Sequence, residues 1–137
     1  MHRFILAAAV AAIGAALLAT PALAFDPHFY VHQKYRTSHD ITPNRFVRQD
    51  TLRDPHDRQT RVGRDRFRCR ARHGGGTLKC RALVHLNGKI GGKGYIRARG
   101  QIHHGDKYLQ VFGGTRQFAG VAGRMFWNGS RLQFDLR

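Results

Sequence analysis

The chain has 137 residues and a formal net charge of +16 at pH 7, and its eight acidic residues are all aspartates. The length fits one domain rather than two full-sized ones, and the lack of glutamate excludes any mechanism that needs that residue as acid, base or metal ligand. Two cysteines are too few for a four-cysteine zinc site within the chain.

Residues 1–24 have the pattern of a cleaved signal peptide. Arg3 gives a positive start, an uncharged apolar run extends from Phe4 to Ala19, and Ala22-Leu23-Ala24 has the small-x-small form of a cleavage site. The alternative is a membrane anchor, but the apolar run of about 16 residues is shorter than the roughly 20 of a spanning helix. We therefore expect cleavage after Ala24 and an exported protein, either periplasmic or extracellular.

Residues 25–65 form a polar N-terminal segment that prolines interrupt. Phe29–Val31 and Arg45–Val47 predict one or two short strands, whereas the alternating charges of residues 50–65 predict a loop or mobile linker. This segment has eight basic and six acidic residues, but residues 66–137 have fifteen basic and two acidic ones. The change in composition predicts a boundary near residue 65, followed by a cationic, glycine-rich domain.

Residues 66–82 predict a β-hairpin that turns at His73–Gly76. In one register, Phe67 faces Ala82, Cys69 faces Cys80 and Ala71 faces Leu78, so that one face is apolar throughout. The other face carries Arg66, Arg68, Arg70, Arg72, Thr77, Lys79 and Arg81. A slip of one residue would place arginines in the core, and the register is therefore well determined.

The same register places the two cysteines directly opposite each other. Facing residues of neighbouring strands lie close to disulfide distance, and an exported protein occupies an oxidising compartment. The alternatives are two free thiols or one reactive cysteine, but nothing in the sequence places a histidine beside either sulfur. The pattern favours a structural disulfide between Cys69 and Cys80.

Four further strands follow the hairpin. Alternating patterns cover residues 95–102, 107–112, 121–127 and 131–137, and Asn87-Gly88 and Asn128-Gly129 are tight-turn signals. About six strands thus lie beyond residue 65, and one or two from residues 25–65 would close a barrel of about eight. Closure removes the exposed sheet edges. We predict an all-β protein with a small antiparallel β-barrel core in residues 66–137.

Residues 113–123, GGTRQFAGVAG, resemble the G-G-T-G-x-[FY]-x-G-A-x-G signature of the dirigent and allene oxide cyclase barrel-like family. The resemblance covers about residues 62–137 and includes the order of features in exported bacterial members, with a cysteine pair across a hairpin before the signature. Arg116 and Val121 depart from the pattern. The matching residues are Gly113, Gly114, Thr115, Phe118, Gly120 and Gly123.

That resemblance implies an eight-stranded antiparallel barrel and, from the plant members, a homo-oligomer. The resemblance does not imply the cyclase activity, because the plant cyclases rely on a pocket glutamate that this chain lacks. From the residues themselves we expect a structural role for the motif. Gly113-Gly114 would allow a positive φ at a turn, and Gly120 and Gly123 would allow close backbone approach.

Three functions are compatible with these features. The leading hypothesis is a non-catalytic binding protein that holds a small apolar ligand in the barrel mouth. The second is a dirigent-like or cyclase-like enzyme acting on a hydrophobic small molecule, which buried Asp or His beside an open cavity would favour and a filled barrel would oppose. No catalytic residue or cofactor is predicted. The candidate lining residues, which a packed core would also explain, are Phe112, Phe118, Met125, Phe126 and Trp127.

The third hypothesis is a cationic envelope protein that binds polyanions or an anionic surface, the alternative being a plain solvated face. Its candidate patch is Arg66, Arg68, Arg70, Arg72, Lys79 and Arg81. No exposed aromatic residue can be assigned for base stacking, so we predict no dedicated nucleic-acid site. The pairs His28/His32 and His103/His104 suit copper or zinc, but no further ligand is suitably spaced and no metal site is predicted.

Overall fold

The structure is a computed structural model that describes residues 25–42, 44–72, 76–103 and 107–137. The predicted signal peptide, most of the predicted turn at residues 73–76, and His104 lie outside the described residues. Eight antiparallel strands form a closed barrel in chain order, which confirms the predicted all-β barrel. The strands are β1 His28–Thr42, β2 Arg45–Arg53, β3 Arg61–Ala71, β4 Leu78–Asn87, β5 Lys93–Ile102, β6 Tyr108–Gly114, β7 Gly123–Asn128 and β8 Arg131–Leu136.

The polar segment contributes two long strands, since β1 has 15 residues and β2 has nine. The linker predicted for residues 50–65 was wrong, because only residues 54–60 lie between β2 and β3. The charges that resembled a linker sit on paired strands, with Asp50 directly opposite Asp65. No structural boundary falls at residue 65, which lies inside β3.

The register of the β3–β4 hairpin is the predicted one. Phe67 pairs with Ala82, Cys69 with Cys80 and Arg68 with Arg81. Cys69 and Cys80 form a disulfide across the two strands. Their side chains face the barrel interior, where both cysteines are buried.

Export itself stays a prediction, with which a disulfide is consistent. Within the described ranges, no helix is long and apolar enough to cross a membrane.

Apolar side chains fill the barrel. The cluster draws on all eight strands and on the short 3-10 helix Arg116–Phe118, whose Phe118 is fully buried. The largest side chains that are essentially inaccessible are Phe67, Phe118, Phe134, Leu52, Leu86, Ile96, Leu109, Met125, Leu132, Val31, Val62 and Val84. Burial on this scale is the main source of stability for the closed sheet.

The glycine motif forms the connection between β6 and β7 at what we call the lower end of the barrel. The Tyr95 backbone N–H donates to the Thr115 hydroxyl at 3.1 Å, which ties the connection to β5. A Cβ on Gly114 would overlap the Tyr95 carbonyl oxygen, whereas Gly120 has open space around it and a φ of +74°. The motif is structural, as predicted, but these two glycines exchange the predicted roles: Gly114 allows close approach and Gly120 a positive φ.

The rim at the opposite, upper end is uneven. β1 pairs with β8 only from His28 to His32, and the Gln33 backbone N–H then donates to the Ser130 carbonyl in the β7–β8 turn at 2.6 Å. Beyond Gln33, β1 pairs only with β2 among the described residues. The β1–β2 hairpin therefore rises above the β7–β8 turn, and part of its inner face is open to solvent.

Candidate functional site

Four polar side chains gather on the inner face of the barrel just below this opening. Gln33 comes from β1, Arg48 and Asp50 come from β2, and Asp65 comes from β3. Gln33, Asp50 and Asp65 are buried, and the Arg48 side chain is 24% exposed. We call these four residues the inner polar cluster. Polar groups so placed in an apolar barrel need partners, because an unpaired buried charge is costly.

Hydrogen bonds connect the whole cluster. The Arg48 Nε donates to both carboxylate oxygens of Asp50, at 3.1 and 3.0 Å, and an Arg48 terminal nitrogen lies 3.0 Å from the same carboxylate. The Gln33 Nε2 donates to Asp50 at 3.2 Å and to Asp65 at 2.6 Å. The Asp50 backbone N–H donates to the Asp65 carboxyl at 3.1 Å. Arg48 thus neutralises Asp50, while Asp65 has no ion-pair partner among the described residues.

The Asp65 carboxyl is a weak acid in this setting. Burial, and after it the nearby negative charge of Asp50, raise the pKa of Asp65 to about 8, against the opposing effect of the Gln33 hydrogen bond. The side chain is therefore mainly protonated at neutral pH. A neutral carboxylic acid beside a carboxylate can hold or release a proton, an arrangement that active sites also use.

Aromatic rings frame the accessible side of the cluster. The Arg48 guanidinium carbon lies 5.3 Å from the ring centre of Trp127 and 5.7 Å from that of Tyr35. Trp127 also stacks on Phe67 with ring centres 4.4 Å apart. Tyr35 is 58% exposed, although its register position on β1 faces inward. We call Tyr35, Arg48 and Trp127 the mouth site, whose floor is the inner polar cluster.

One acceptor at this floor is unused. The Gln33 Oε1 is buried and has no hydrogen-bond partner within the described residues. Buried acceptors normally have a partner. The oxygen can accept a hydrogen bond from an internal water molecule. The mouth site therefore combines a cation and two aromatic rings above a buried acceptor.

The structure does not bring the five predicted lining residues together. Phe118 and Met125 belong to the packed core, and Phe112 is 45% exposed on the outer wall beside Arg99. Phe126 also lies on the outside of β7, since it alternates with the buried Met125. Trp127 alone contributes to the mouth site. A small apolar ligand stays a prediction, and apolar side chains fill the described interior of the barrel.

The basic residues of the predicted patch all point outward, as expected from the hairpin register. Arg66, Arg68, Arg70, Arg72, Lys79 and Arg81 are exposed.

Among the histidines of the two pairs that suited copper or zinc, His28 lies 3.1 Å from Asp135. The described part of the chain contains no group of three or more residues that could hold a metal ion.

The inner polar cluster was missed at the sequence level. Asp65 has the same strand parity as Phe67 and Cys69, so that the hairpin register already places it inside, opposite Val84. Its charge, next to a run of other charges, favoured a linker instead. The sequence around Arg48 and Asp50 did not indicate that these side chains face inward. Antiparallel strands usually carry apolar residues on the inner face and polar residues on the outer face, and β2 departs from that pattern here.

Comparison with known proteins supports the fold and no family. No protein-family model matches the chain, and no curated protein matches it. Among solved structures, it is similar to a pyocyanin demethylase, with a TM-score of 0.64 and 19% sequence identity over 80% of this chain and 99% of that one. The barrel implied by the dirigent and allene oxide cyclase resemblance is thus present, but membership of that family is not confirmed.

Proposed function

We propose that the protein is an exported binding protein that holds a small aromatic ligand at the mouth site and performs no reaction on it. The observation that carries this proposal is the position of the Arg48 guanidinium, within 6 Å of two ring centres. A planar ligand can stack against these rings and the cation together. It would lie beside the exposed Tyr35 ring, where β1 extends beyond β8.

Two further features support the proposal. Three contacts from Arg48 to Asp50 hold the guanidinium in place before any ligand arrives, which lowers the entropy lost on binding. The name of the barrel neighbour, a demethylase that acts on pyocyanin, is consistent with a small-molecule site in this fold.

Tryptophan fluorescence tests the proposal directly, because Trp127 is the only tryptophan of the chain. Titration with pyocyanin and with the anionic dye anilinonaphthalene sulfonate should quench or shift its emission. Arg48→Met and Tyr35→Leu should each weaken binding by roughly 3–30-fold, the range expected for lost cation–π contacts. The control Phe126→Leu changes an outward ring of the same strand and should leave binding unchanged. Failure of both probes, or an equal loss in the control, would contradict the proposal.

A second candidate, an enzyme acting on the bound ligand, is favoured by one observation. Asp65 is a buried carboxyl with a pKa of about 8, and it lies 2.6 Å from the Gln33 amide on the floor of the site. If the site is catalytic, pyocyanin or another bound compound should be converted by the wild type. Asp65→Asn should then abolish conversion while binding is retained. Binding without conversion would favour the binding protein.

A further inference from the structure

The outer face of β3, β4 and β5 carries an array of cations that extends beyond the hairpin. Arg68, Arg81 and Arg99 occupy directly opposite positions on the three strands. Arg66 and Arg97 flank Leu83 in the row below, and Arg70 pairs with Lys79 in the row above. All seven basic residues are exposed. We call this set the arginine wall: Arg66, Arg68, Arg70, Lys79, Arg81, Arg97 and Arg99.

Among the described residues, no acid forms an ion pair with the arginine wall. The ion pairs of the described residues are His28–Asp135 and Arg48–Asp50, neither of which involves it. The one acid on β3, β4 and β5 is Asp65, which points inward and is buried. Neighbouring strands lie about 4.8 Å apart, so the array gathers several like charges at separations where they repel.

The positive field reaches the lower edge of this face. Burial lowers the pKa of His85, and the charges of Arg64, Arg116 and Arg61 lower it further. A groove of about 280 Å³ adjoins the wall there, and its lining includes the cations Arg36, Arg64 and Arg66 as well as Asp50 and Asp65. The wall itself therefore offers an external anion a more uniformly positive surface than this groove does.

We propose that the arginine wall binds the surface of an anionic lipid bilayer. The cations spread over three strands in two dimensions, as phosphate headgroups do, whereas a single polymer strand would follow one line. Guanidinium groups also match phosphate oxygens well, since they can donate two parallel hydrogen bonds. Clusters of basic residues are attracted to anionic leaflets in this way.

Two exposed apolar residues lie among these cations, and the aliphatic one, Leu83, distinguishes a bilayer from a soluble polyanion. Leu83 lies in the middle of the wall between Arg66 and Arg97 and is 39% exposed. Phe112 is 45% exposed, with the Arg99 guanidinium 4.5 Å from its ring centre. Apolar side chains among cations favour the boundary of headgroups and acyl chains. A phosphate polymer offers nothing for the leucine to contact.

Vesicle sedimentation tests the proposal on the exported form of the protein. We expect binding to phosphatidylcholine vesicles that contain phosphatidylglycerol, little binding to phosphatidylcholine alone, and weaker binding as sodium chloride rises. Arg68→Gln, Arg81→Gln and Arg99→Gln combined should weaken binding roughly 100-fold, since each cation near an anionic surface contributes about fivefold. The matched control, Arg124→Gln, Arg131→Gln and Arg137→Gln, lowers the net charge equally and should have a much smaller effect.

A third variant separates the bilayer from soluble polyanions. Leu83→Ser should weaken vesicle binding several-fold and leave binding to single-stranded DNA or polyphosphate unchanged. Far-ultraviolet circular dichroism and an intact disulfide confirm that each variant is folded. Equal losses in the two triple variants would assign the attraction to net charge alone. No effect of Leu83→Ser, or tighter binding to a soluble polymer than to vesicles, would overturn the bilayer as the partner.

Discussion

The inner polar cluster and the arginine wall differ in whether their charges are balanced, although β3 contributes residues to both. Inside the barrel, Asp50 is bonded to Arg48 and Asp65 is neutralised by its own proton. Outside, the seven cations of the arginine wall make no ion pair with any acid of the described residues. The difference follows from solvent, because water screens repulsion at a surface and is excluded from a packed core. Burial dictates pairing on the inner face, and the outer face is free to retain an unbalanced charge.

The largest expected effect concerns the proton on Asp65. Its folded pKa of about 8 lies above the ordinary value of 3.8, so the folded state keeps a proton that the unfolded state loses. Stability from this group is fully present below pH 4 and is lost as the pH rises towards 8, on the order of several kcal/mol. Asp65→Asn should remove this slope, and its advantage over wild type should grow across that window. Urea unfolding at a series of pH values measures it, and parallel pH profiles for the two proteins would show that Asp65 titrates normally.

The second effect concerns the disulfide that links β3 to β4, the two strands that carry most of the arginine wall on their outer face. Cys69 and Cys80 are separated by 11 positions, and replacing both by Ala should lower the free energy of unfolding by about 3 kcal/mol. Without this crosslink, repulsion between Arg68 and Arg81 should matter more. Added salt should therefore stabilise the double variant more than the wild type. Equal salt responses in denaturant melts would show that the crosslink does not oppose this repulsion.

A matched pair of substitutions compares the two regions most directly. Arg48→Gln leaves the buried Asp50 without its cation and should cost about 2 kcal/mol. This is below the roughly 3–5 kcal/mol of fully buried pairs, since the Arg48 side chain is 24% exposed. Arg68→Gln removes an outward charge that faces another arginine and should be neutral or slightly stabilising. Thermal unfolding of the two variants under one condition measures both, and similar losses would contradict the comparison.

The smallest expected effect is a gain of stability from reversing one charge in the wall. Arg81 lies between Arg68 and Arg99, so Arg81→Glu replaces two repulsive pairs with two attractive ones. We expect about 0.5–1 kcal/mol of stabilisation that declines at high salt. Arg137→Glu lowers the net charge equally at a position outside the wall and serves as control. A gain of the same size in both variants would assign the effect to net charge.

The sequence predicted the fold where each strand had one apolar face. The pairing of residues 66–82 followed from alternation, because a slip of one residue would bury arginines. The same rule failed for β1 and β2, whose inward positions include Gln33, Arg48 and Asp50. These residues are accommodated only through hydrogen bonds to one another across three strands. Such a network depends on the register between strands, which local patterns do not specify.

The family resemblance was similarly informative about shape rather than chemistry. The residues from Gly113 to Gly123 form the connection between β6 and β7 around the buried Phe118, at the opposite end of β7 from Trp127. A motif whose glycines satisfy backbone geometry recurs wherever that geometry is needed. It therefore predicted eight strands correctly while pointing away from the end of the barrel that holds the polar cluster.

The uneven rim determines which part of a ligand the protein would recognise. Because β8 begins beside His32 while β1 continues to Thr42, the mouth opens sideways over the β7–β8 turn. A ring stacked near Trp127 would have one edge enclosed and the other in water. Substituents on the outer edge of the ring would contact no protein side chain. The protein would therefore discriminate between ligands only by the chemistry of their inner edge. Such a site would accept a series of related compounds that share one edge, and exchange them without any opening of the barrel.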